Sequence, residues 1–514
     1  MTVNEKTRTQ NSVRNTAVGV ALHLLTALFS FVSRTVFVRV LGVQYLGISG
    51  LFSNVLTMLA LSDLGVYTVM VYSLYKPLAE NDRERIAVLI HFFQRLYNVV
   101  ALVVFGLGIL CIPLLPYLIN DSALSYGETV TYYVLLLLNT TCSYFAISKS
   151  TLLRADQQVH IVQIVTTIGT FGLQIMQIVI LLLTHQYVFF LVTQILFTVG
   201  SNVALSRIAI KKYPYICKTT SSSQIEQKIK HDVIKNLKAT FLYKIGNAIM
   251  NSTDNILISV IVGTVFVGYY SNYVTIFTMV NAFVQIVIQA ILPSVGNYYA
   301  SSLEEKKYEL FRFLQFVFYA LAAFCASCYI CGMNDFIRLW LGEEYLLADT
   351  FVWAIALYRF VYCAVHPLWM TRESTGIFVS TRYVMMCAAG INILLSVVLG
   401  KRMGITGIIL ATGISTLATI FWYEPKQLCA RVFRIPQSKY WRNCLKLLVA
   451  STIPLLVAVA MQMLQTSSIG VLFFKFLICG VVTFLSFFLI MRRSEEFARA
   501  KSLVISITYK KKKA

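Results

Sequence analysis

Charged residues are scarce in this chain: they make up 13% of its 514 residues, whereas hydrophobic residues make up 58% and the mean hydropathy is +0.72. Soluble globular proteins keep about a quarter of their residues charged, so the composition excludes that class. Because a hydrocarbon core of about 30 Å needs roughly 20 apolar residues for each helical crossing, the chain is predicted to be an integral membrane protein.

Strict alternation of apolar and polar residues is also missing from the apolar segments, which are long runs of Leu, Ile, Val and Phe. A membrane β-barrel requires such alternation over about ten residues per strand, so the predicted fold class is all-α. The first segment is too long for a cleaved signal peptide, and we expect it to be retained. We place about fourteen transmembrane helices, at 15–40, 46–72, 87–118, 128–148, 158–183, 187–209, 239–262, 266–296, 309–332, 350–370, 377–399, 405–423, 443–463 and 469–490.

Catalytic signatures are absent from the sequence. It contains no HExxH, GxSxG or Walker A motif and no hydrophilic domain with paired carboxylates. Cys325, Cys328 and Cys331 follow one another at helical spacing, which favours small apolar wall residues over a metal site or a disulfide framework. The sequence therefore predicts a protein that is not an enzyme and that has no cofactor and no bound metal.

The net charge of +22 is distributed by loop. Lys and Arg gather before the first predicted helix, in alternate loops and in the C-terminal tail, and the loop at 333–349 has Asp335 and three other acidic residues against Arg338 alone. This positive-inside pattern predicts that both termini are cytoplasmic, and it makes nucleic acid an unsupported partner. The other predicted outer loops, at 116–127, 184–186, 263–265 and 464–468, contain no Lys or Arg.

One long hydrophilic interruption, residues 211–238, divides the chain. Similar glycine pairs in the first hairpin of each half, Gly42 with Gly47 and Gly263 with Gly268, indicate an internal repeat, which is a common plan of transporters. We predict an N-terminal lobe of helices 1–6 (1–210), a basic cytoplasmic linker (211–238), a C-terminal lobe of helices 7–12 (239–424), two peripheral helices (425–491) and a basic cytoplasmic tail (492–514).

Polar residues form stripes on one face of several predicted helices, within arcs of about 80–100°. Helices that are apolar toward lipid and polar on one narrow face are typical of a bundle around an aqueous cavity. The thirteenth and fourteenth helices lack such a face, so we expect Lys475 to extend to the lipid headgroups. The stripes are His23, Thr26, Ser30, Ser33 and Arg34; His91, Gln94, Arg95 and Asn98; Gln163, Thr166, Thr167, Thr170, Gln174 and Gln177; Lys244, Asn247, Asn251 and Asp254; and Arg359, Tyr362 and His366.

Charged side chains at bilayer depth are the strongest candidates for a binding site, because each costs about 2.5–3.5 kcal/mol to insert. Their excess is positive, which predicts that the cavity attracts an anion, and the guanidinium fork matches phosphate oxygens. Structural neutralisation is the alternative for Lys244 and Asp254, and helix packing is the alternative for Asp63. The candidates are Arg34, Arg95, Lys244 and Arg359 against Asp63 and Asp254.

Several segments, in order and at similar separations, resemble the polysaccharide-transporter family of bacterial flippases, over roughly residues 12–435. That family belongs to the superfamily of multidrug and toxin extrusion transporters and lipid II flippases. The segments are YSLYKPLAENDRERI (72–86), STDNILISVIVGTVFVGYYSNY (252–273), PSVGNYYA (293–300), FIRLWLGEEYLL (336–347), RESTGIF (372–378) and INILLSVVLGKRMGITGIILATGIS (391–415).

The resemblance implies twelve to fourteen helices in two pseudo-symmetric lobes around a central cavity. It also implies export of undecaprenyl-pyrophosphate-linked oligosaccharide repeat units across the bacterial cytoplasmic membrane, for a capsule, an exopolysaccharide or a related glycan. SRTVFVRVLG looks like the stretch in which a first-helix arginine meets the pyrophosphate, with Arg34 at the matching position. The chain departs from lipid II flippases at Thr35, where they carry an acidic residue, and at Met58 and Leu59, where they carry basic ones.

We therefore predict a flippase that works by alternating access, driven by the membrane potential, by a coupled H⁺ or Na⁺, or by removal of the product. Polymerases and glycosyltransferases are its expected protein contacts. The alternatives are a multidrug cation antiporter, a membrane glycosyltransferase or polymerase, and a non-transporting component of the glycan assembly machinery. In the flippase, Arg34, Arg95 and Arg359 hold the diphosphate, and the sugars meet aromatic residues and Gln163, Gln174, Asn247 and Asn251.

Overall fold

The protein is helical throughout the part of the chain that the structure describes. In this computed structural model no strand occurs in the described ranges, so the all-α prediction is confirmed. The described residues are 26, 28–60, 66–120, 124–156, 158–217, 245–246, 248–250, 252–301, 303–375, 377, 383–464, 466 and 468–502.

Nineteen numbered helices cover most of these residues. They are α1 (Leu28–Leu41), α2 (Val43–Leu59), α3 (Val66–Ala79), α4 (Arg83–Leu110), α5 (Leu115–Leu118), α6 (Tyr126–Ser143), α7 (Ile147–Ala155), α8 (Val159–Thr184), α9 (Tyr187–Lys212), α10 (Ala248–Ile261), α11 (Thr264–Ser301), α12 (Glu304–Trp340), α13 (Asp349–Ala364), α14 (His366–Thr375), α15 (Val384–Met403), α16 (Ile405–Ala418), α17 (Ile420–Leu428), α18 (Gln437–Gln462) and α19 (Ile469–Met491).

The protein is a multi-pass membrane protein. Among the described residues, ten helical segments are long and apolar enough to cross a bilayer, and α1 with α2 makes an eleventh if the bent pair is one span. Some helices extend well past the hydrocarbon core. At 1.5 Å per residue, the 37 residues of α12 cover roughly 55 Å, so this helix continues beyond the predicted segment 309–332 at both ends.

Two compact units make up the described chain. The N-terminal unit consists of the described residues up to 248 together with 263–268, and the C-terminal unit consists of 249–262 and the residues from 269 onward. In the N-terminal unit α8 packs on α9 and α6 on α9, and in the C-terminal unit α12 packs on α13, α18 and α19.

The glycines that repeat in the two halves have matching structural roles. Gly42, with φ +90°, separates α1 from α2, whose axes differ by 119°, and Gly263, with φ +133°, precedes α11. Both φ values lie in the region that favours glycine. The chain therefore turns directly into α2 at Val43, whereas the sequence predicted a longer break before residue 46.

The second glycine of each pair is a site of close backbone approach within the N-terminal unit. A Cβ on Gly47 would overlap the carbonyl oxygen of Thr264 and lie 3.2 Å from the backbone nitrogen of Gly268. A Cβ on Gly268 would overlap the carbonyl oxygen of Val43 and lie 3.1 Å from the nitrogen of Gly47. The first turns of α2 and α11 thus cross at two glycines, which explains the repeated spacing.

Lys475 of α19 does not extend to the headgroups, so that prediction is wrong. Lys475 is 2% exposed, and Nζ lies 2.7 Å from Oδ2 of Asp335 on α12. The ammonium group also donates to the carbonyl oxygens of Leu464 and Cys331. These three partners offset the cost of burying the charge, so the lysine is held in the protein interior.

Asp335 and Arg338 do not belong to an outer loop, as the sequence had indicated, but to the last turns of α12. The other carboxylate oxygen of Asp335 accepts from Arg338 at 3.1 Å and from the backbone N–H of Thr466 at 3.3 Å. Asp335 is therefore the centre of a buried polar cluster that joins α12 to α19 and to the segment before it.

Candidate functional site

Arg34 lies on α1, one turn after Ser30 on the same helix face. Its side chain is half-buried. Nε2 of Gln174 on α8 donates to Oγ of Ser30 at 2.6 Å, while Oε1 of Gln174 is buried without a hydrogen-bond partner. The structure thus brings together the predicted stripes of the first and fifth segments and leaves one acceptor there unused.

The stripe around Arg95 is connected to α7. Nε2 of Gln94 donates to Oδ1 of Asn98 at 2.9 Å, and the hydroxyl of Ser148 donates to Oε1 of Gln94. Arg95 itself is exposed on α4, and Gln163 is exposed on α8. The N-terminal unit therefore holds Arg34, Arg95, Gln163 and Gln174, of which Gln174 has a defined polar contact with the Arg34 stripe.

Four predicted site residues lie outside the described residues. They are Asp63, Lys244, Asn247 and Asn251.

Arg359 in the C-terminal unit occupies a narrow pocket. Its guanidinium carbon lies 3.9 Å from the ring centre of Phe277 and 4.8 Å from that of Tyr358. Nε is buried without a hydrogen-bond partner, and no ion pair to Arg359 occurs among the described residues. The lining of the pocket comprises Phe277, Asn281, Leu321, Ala322, Cys325, Ala326, Tyr329, Arg359, Tyr362, Cys363 and His366.

The three members of the predicted Arg359 stripe line this one pocket. The ring of His366 stacks on Phe318 at 5.7 Å and meets Tyr362 edge-on at 5.1 Å. Nδ1 of His366 lies 3.0 Å from the carbonyl oxygen of Tyr362. Aromatic rings form much of the wall of the pocket, and Arg359 supplies its positive charge.

Asp254, on α10, is buried in a second polar cluster of the same unit. Its Oδ1 accepts from Oγ1 of Thr412 on α16 at 3.1 Å, and that oxygen accepts from Nδ2 of Asn392 on α15 at 2.9 Å. Oδ1 of Asn392 and Oγ of Ser396, one turn further along α15, are fully buried and have no hydrogen-bond partner. A hydrogen-bonded chain of Asp254, Thr412 and Asn392 therefore lies in the interior of the C-terminal unit, and two unused oxygens lie on the adjoining face of α15.

These two clusters are neighbours through the contact of α13 with α16. A Cβ placed on Gly413, the residue after Thr412, would lie 3.6 Å from the Cα of Tyr358, the residue before Arg359. The pocket and the Asp254 cluster are therefore adjacent parts of one polar region.

The sequence prediction missed Asn392, Ser396 and Thr412. A signal for two of them was present, because Asn392 and Ser396 lie four residues apart and hence on one face of an otherwise apolar helix. Thr412 had no comparable signal, since a single threonine in a membrane helix usually bonds to its own backbone.

The fold of the described helices is similar to that of several solved membrane transporters. The structure of the lipid II flippase MurJ in an inward closed conformation superposes with a TM-score of 0.68 over 93% of this chain and 99% of that chain, at 14% identity. A MATE family multidrug resistance transporter of the MOP superfamily in an inward-facing conformation gives 0.57 over 79% of this chain and 95% of its own, at 14% identity.

The MATE multidrug transporter DinF-BH gives a TM-score of 0.56 over 82% of this chain and 96% of its own, at 15% identity. No family model and no curated protein matches the chain. The structural likeness confirms the fold that the sequence motifs implied. Membership of the polysaccharide-transporter family stays a prediction from those motifs.

Proposed function

We propose that this protein is a flippase that moves undecaprenyl-pyrophosphate-linked oligosaccharides across the bacterial cytoplasmic membrane by alternating access, with both termini in the cytoplasm. The observation that supports it most directly is the half-buried guanidinium of Arg359, whose Nε is buried without a hydrogen-bond partner and which has no ion pair among the described residues. A buried cation without a carboxylate partner is costly unless an anion occupies the site during function. A diphosphate supplies that anion.

The predicted roles of the other residues follow from the same charge logic. Arg34 and Arg95 are proposed to contact the diphosphate with Arg359, because arginine binds phosphate oxygens bidentately. Lys244 adds positive charge, and Asp63 is proposed to orient an arginine. The sugars are proposed to meet the amides Gln163, Gln174, Asn247 and Asn251.

Asp254 is proposed to bind the coupling cation. The acceptor groups proposed for it are a carboxylate, the unused amide oxygen of Asn392 and the hydroxyls of Thr412 and Ser396. Oxygen ligands suit hard cations. Several unused acceptor oxygens favour Na⁺ over H⁺, because a proton satisfies one acceptor at a time whereas a metal ion is bound by several.

The buried carboxylate of Asp254 is also the observation that favours the alternative, a multidrug cation antiporter. In such a protein the carboxylate binds the cationic drug or the ion that exchanges with it. Efflux of ethidium from proteoliposomes that hold the purified protein discriminates the two. The flippase proposal expects no efflux above that of empty liposomes.

The first test replaces Arg359 by Gln and by Lys, and Arg34 by Ala. We expect Arg359→Gln to slow flipping of an undecaprenyl-pyrophosphate-linked oligosaccharide by about 10- to 100-fold, because a hydrogen bond to a charged group contributes about 1.5–3 kcal/mol. Arg34→Ala is expected to act similarly, and Arg359→Lys is expected to retain partial activity. Flipping is measured as exposure of the glycan to a lectin outside proteoliposomes.

A matched control for these variants is Arg434→Gln. Arg434 is 70% exposed and pairs with Glu304 at 3.0 Å, so its loss leaves no buried charge. We expect a flipping rate within about twofold of wild type, since exposed ion pairs contribute about 0–1 kcal/mol. Wild-type flipping by both Arg359→Gln and Arg34→Ala, at normal abundance, would contradict the proposed cationic site.

The second test concerns the proposed cation. Asp254→Asn removes the negative charge but keeps the shape, so we expect flipping that no longer responds to a sodium gradient, whereas the wild type is accelerated by it. Glu344→Gln is the control, because Glu344 is exposed near the end of α12. A gradient response of Asp254→Asn equal to that of wild type would exclude Asp254 from coupling.

A further inference from the structure

Resting on the proposed function, we infer that Arg359 is the residue that links the cation to the cargo. With the Asp254 cluster empty, the carboxylate attracts the guanidinium of Arg359. With a cation bound to Asp254, that attraction is cancelled, and Arg359 becomes available to the diphosphate of the lipid-linked cargo. The pocket then accepts an anionic headgroup only when the neighbouring cluster is occupied.

The geometry places the two charges on adjoining elements. Asp254 is held by Thr412 of α16, and Arg359 stands on α13, where Tyr358 lies directly against Gly413 of α16. A Cβ added to Gly413 would be in ordinary van der Waals contact with Tyr358, so the two helices touch at this point.

Each charge lacks an ion-pair partner among the described residues. The guanidinium carbon of Arg359 lies over the rings of Phe277 and Tyr358, and Asp254 accepts a hydrogen bond from Thr412. A guanidinium that is positioned by rings keeps its N–H groups available. Among the described residues, neither charge is therefore fixed by a direct salt bridge.

Thermodynamic linkage turns this arrangement into a measurable coupling. If the cation raises the affinity for the diphosphate by some factor, the diphosphate must raise the affinity for the cation by the same factor. Coupling between two sites in one protein is typically about 5- to 150-fold. We predict that the coupling is positive. The cation neutralises Asp254, which competes with the diphosphate for Arg359, and the diphosphate neutralises Arg359, which competes with the cation for Asp254.

The experiment titrates the purified full-length protein in nanodiscs with undecaprenyl pyrophosphate, in sodium chloride and in choline chloride of equal ionic strength. We expect the wild type to bind the lipid about 5- to 150-fold more tightly in sodium. For Arg359→Gln we expect weaker binding and a sodium-to-choline ratio near one. For Arg359→Lys we expect a ratio above one, since the charge is kept.

Asp254→Asn provides the complementary variant. Without the negative charge, Arg359 has no competitor, so we expect lipid affinity in choline to rise to the level that the wild type reaches in sodium. Size-exclusion chromatography of each variant establishes that it is folded. If Arg359→Gln does not fold, Arg359→Lys and Asp254→Asn decide the outcome by themselves.

The results distinguish a failure of this inference from a failure of the proposed function. If the wild type binds the lipid equally well in both salts, or if Arg359→Gln keeps the wild-type ratio, Arg359 does not link the two ligands, although the flippase proposal stands. If the wild type binds undecaprenyl pyrophosphate in neither salt, the proposed function fails and the inference fails with it.

Discussion

Asp335→Asn is expected to lower the free energy of unfolding by about 3–5 kcal/mol, which is the usual cost of leaving one member of a buried ion pair without its partner. The change leaves the ammonium of Lys475, 2% exposed, with carbonyl oxygens alone. It also removes the charge that holds Arg338. The effect is measured as a lower midpoint of thermal denaturation in detergent. Size-exclusion chromatography is the assay for folded protein.

Two further variants test the assignment to the ion pair. Asp335→Asn combined with Lys475→Met removes both charges, and we expect it to recover part of the lost stability, because no buried charge then remains unpaired. Arg338 has a second carboxylate partner, Glu343, whose side chain is 82% exposed. We expect Glu343→Gln to lower the free energy of unfolding by only about 0–1 kcal/mol. A double variant less stable than Asp335→Asn would indicate that Lys475 stabilises α19 independently of Asp335.

Gly47→Ala is expected to have a comparable effect for a steric reason. The new methyl group overlaps the carbonyl oxygen of Thr264, and a backbone atom cannot rotate aside as a side chain can. Gly268→Ala meets the carbonyl oxygen of Val43 in the same way. Overpacking costs about 1–3 kcal/mol, and a backbone clash belongs at the upper end of that range. Thermal denaturation of each purified variant is the measurement.

Gly106→Ala is the matched control for the glycine variants. Gly106 lies inside α4, and a Cβ added there would meet nothing within 4 Å. Since alanine is about 0.5–1 kcal/mol better than glycine in a helix interior, we expect Gly106→Ala to be neutral or stabilising. Stability of Gly47→Ala and Gly268→Ala equal to that of Gly106→Ala would show that the first turns of α2 and α11 separate easily.

The proposed site divides into a part that sequence patterns could find and a part that they could not. Arg359, Tyr362 and His366 share one pocket because residues three and four apart on a helix share a face, and that relation is local. Asp254 was identified by its charge. Its partner Thr412 follows it by 158 residues, and no helical period connects them.

The position of Lys475 also could not be predicted from neighbouring residues. A single lysine near the end of an apolar segment has two physical outcomes, extension to the headgroups or pairing inside the protein, and the local sequence is identical in both. The choice depended on Asp335, 140 residues earlier, and on α12 continuing past its apolar segment.

The amino-acid sequence by itself determined that this is an all-α membrane protein, and it contained the polar faces and the repeated glycines. Those properties are sums or periodicities of neighbouring residues, since transfer of a segment into lipid depends on its own hydropathy. Only the tertiary structure decided which buried charges are neutralised. It pairs Lys475 with Asp335 and leaves Arg359 without a carboxylate in its pocket among the described residues. A buried charge is satisfied by whatever helix lies against it, and that neighbour is fixed by packing between segments far apart in the chain.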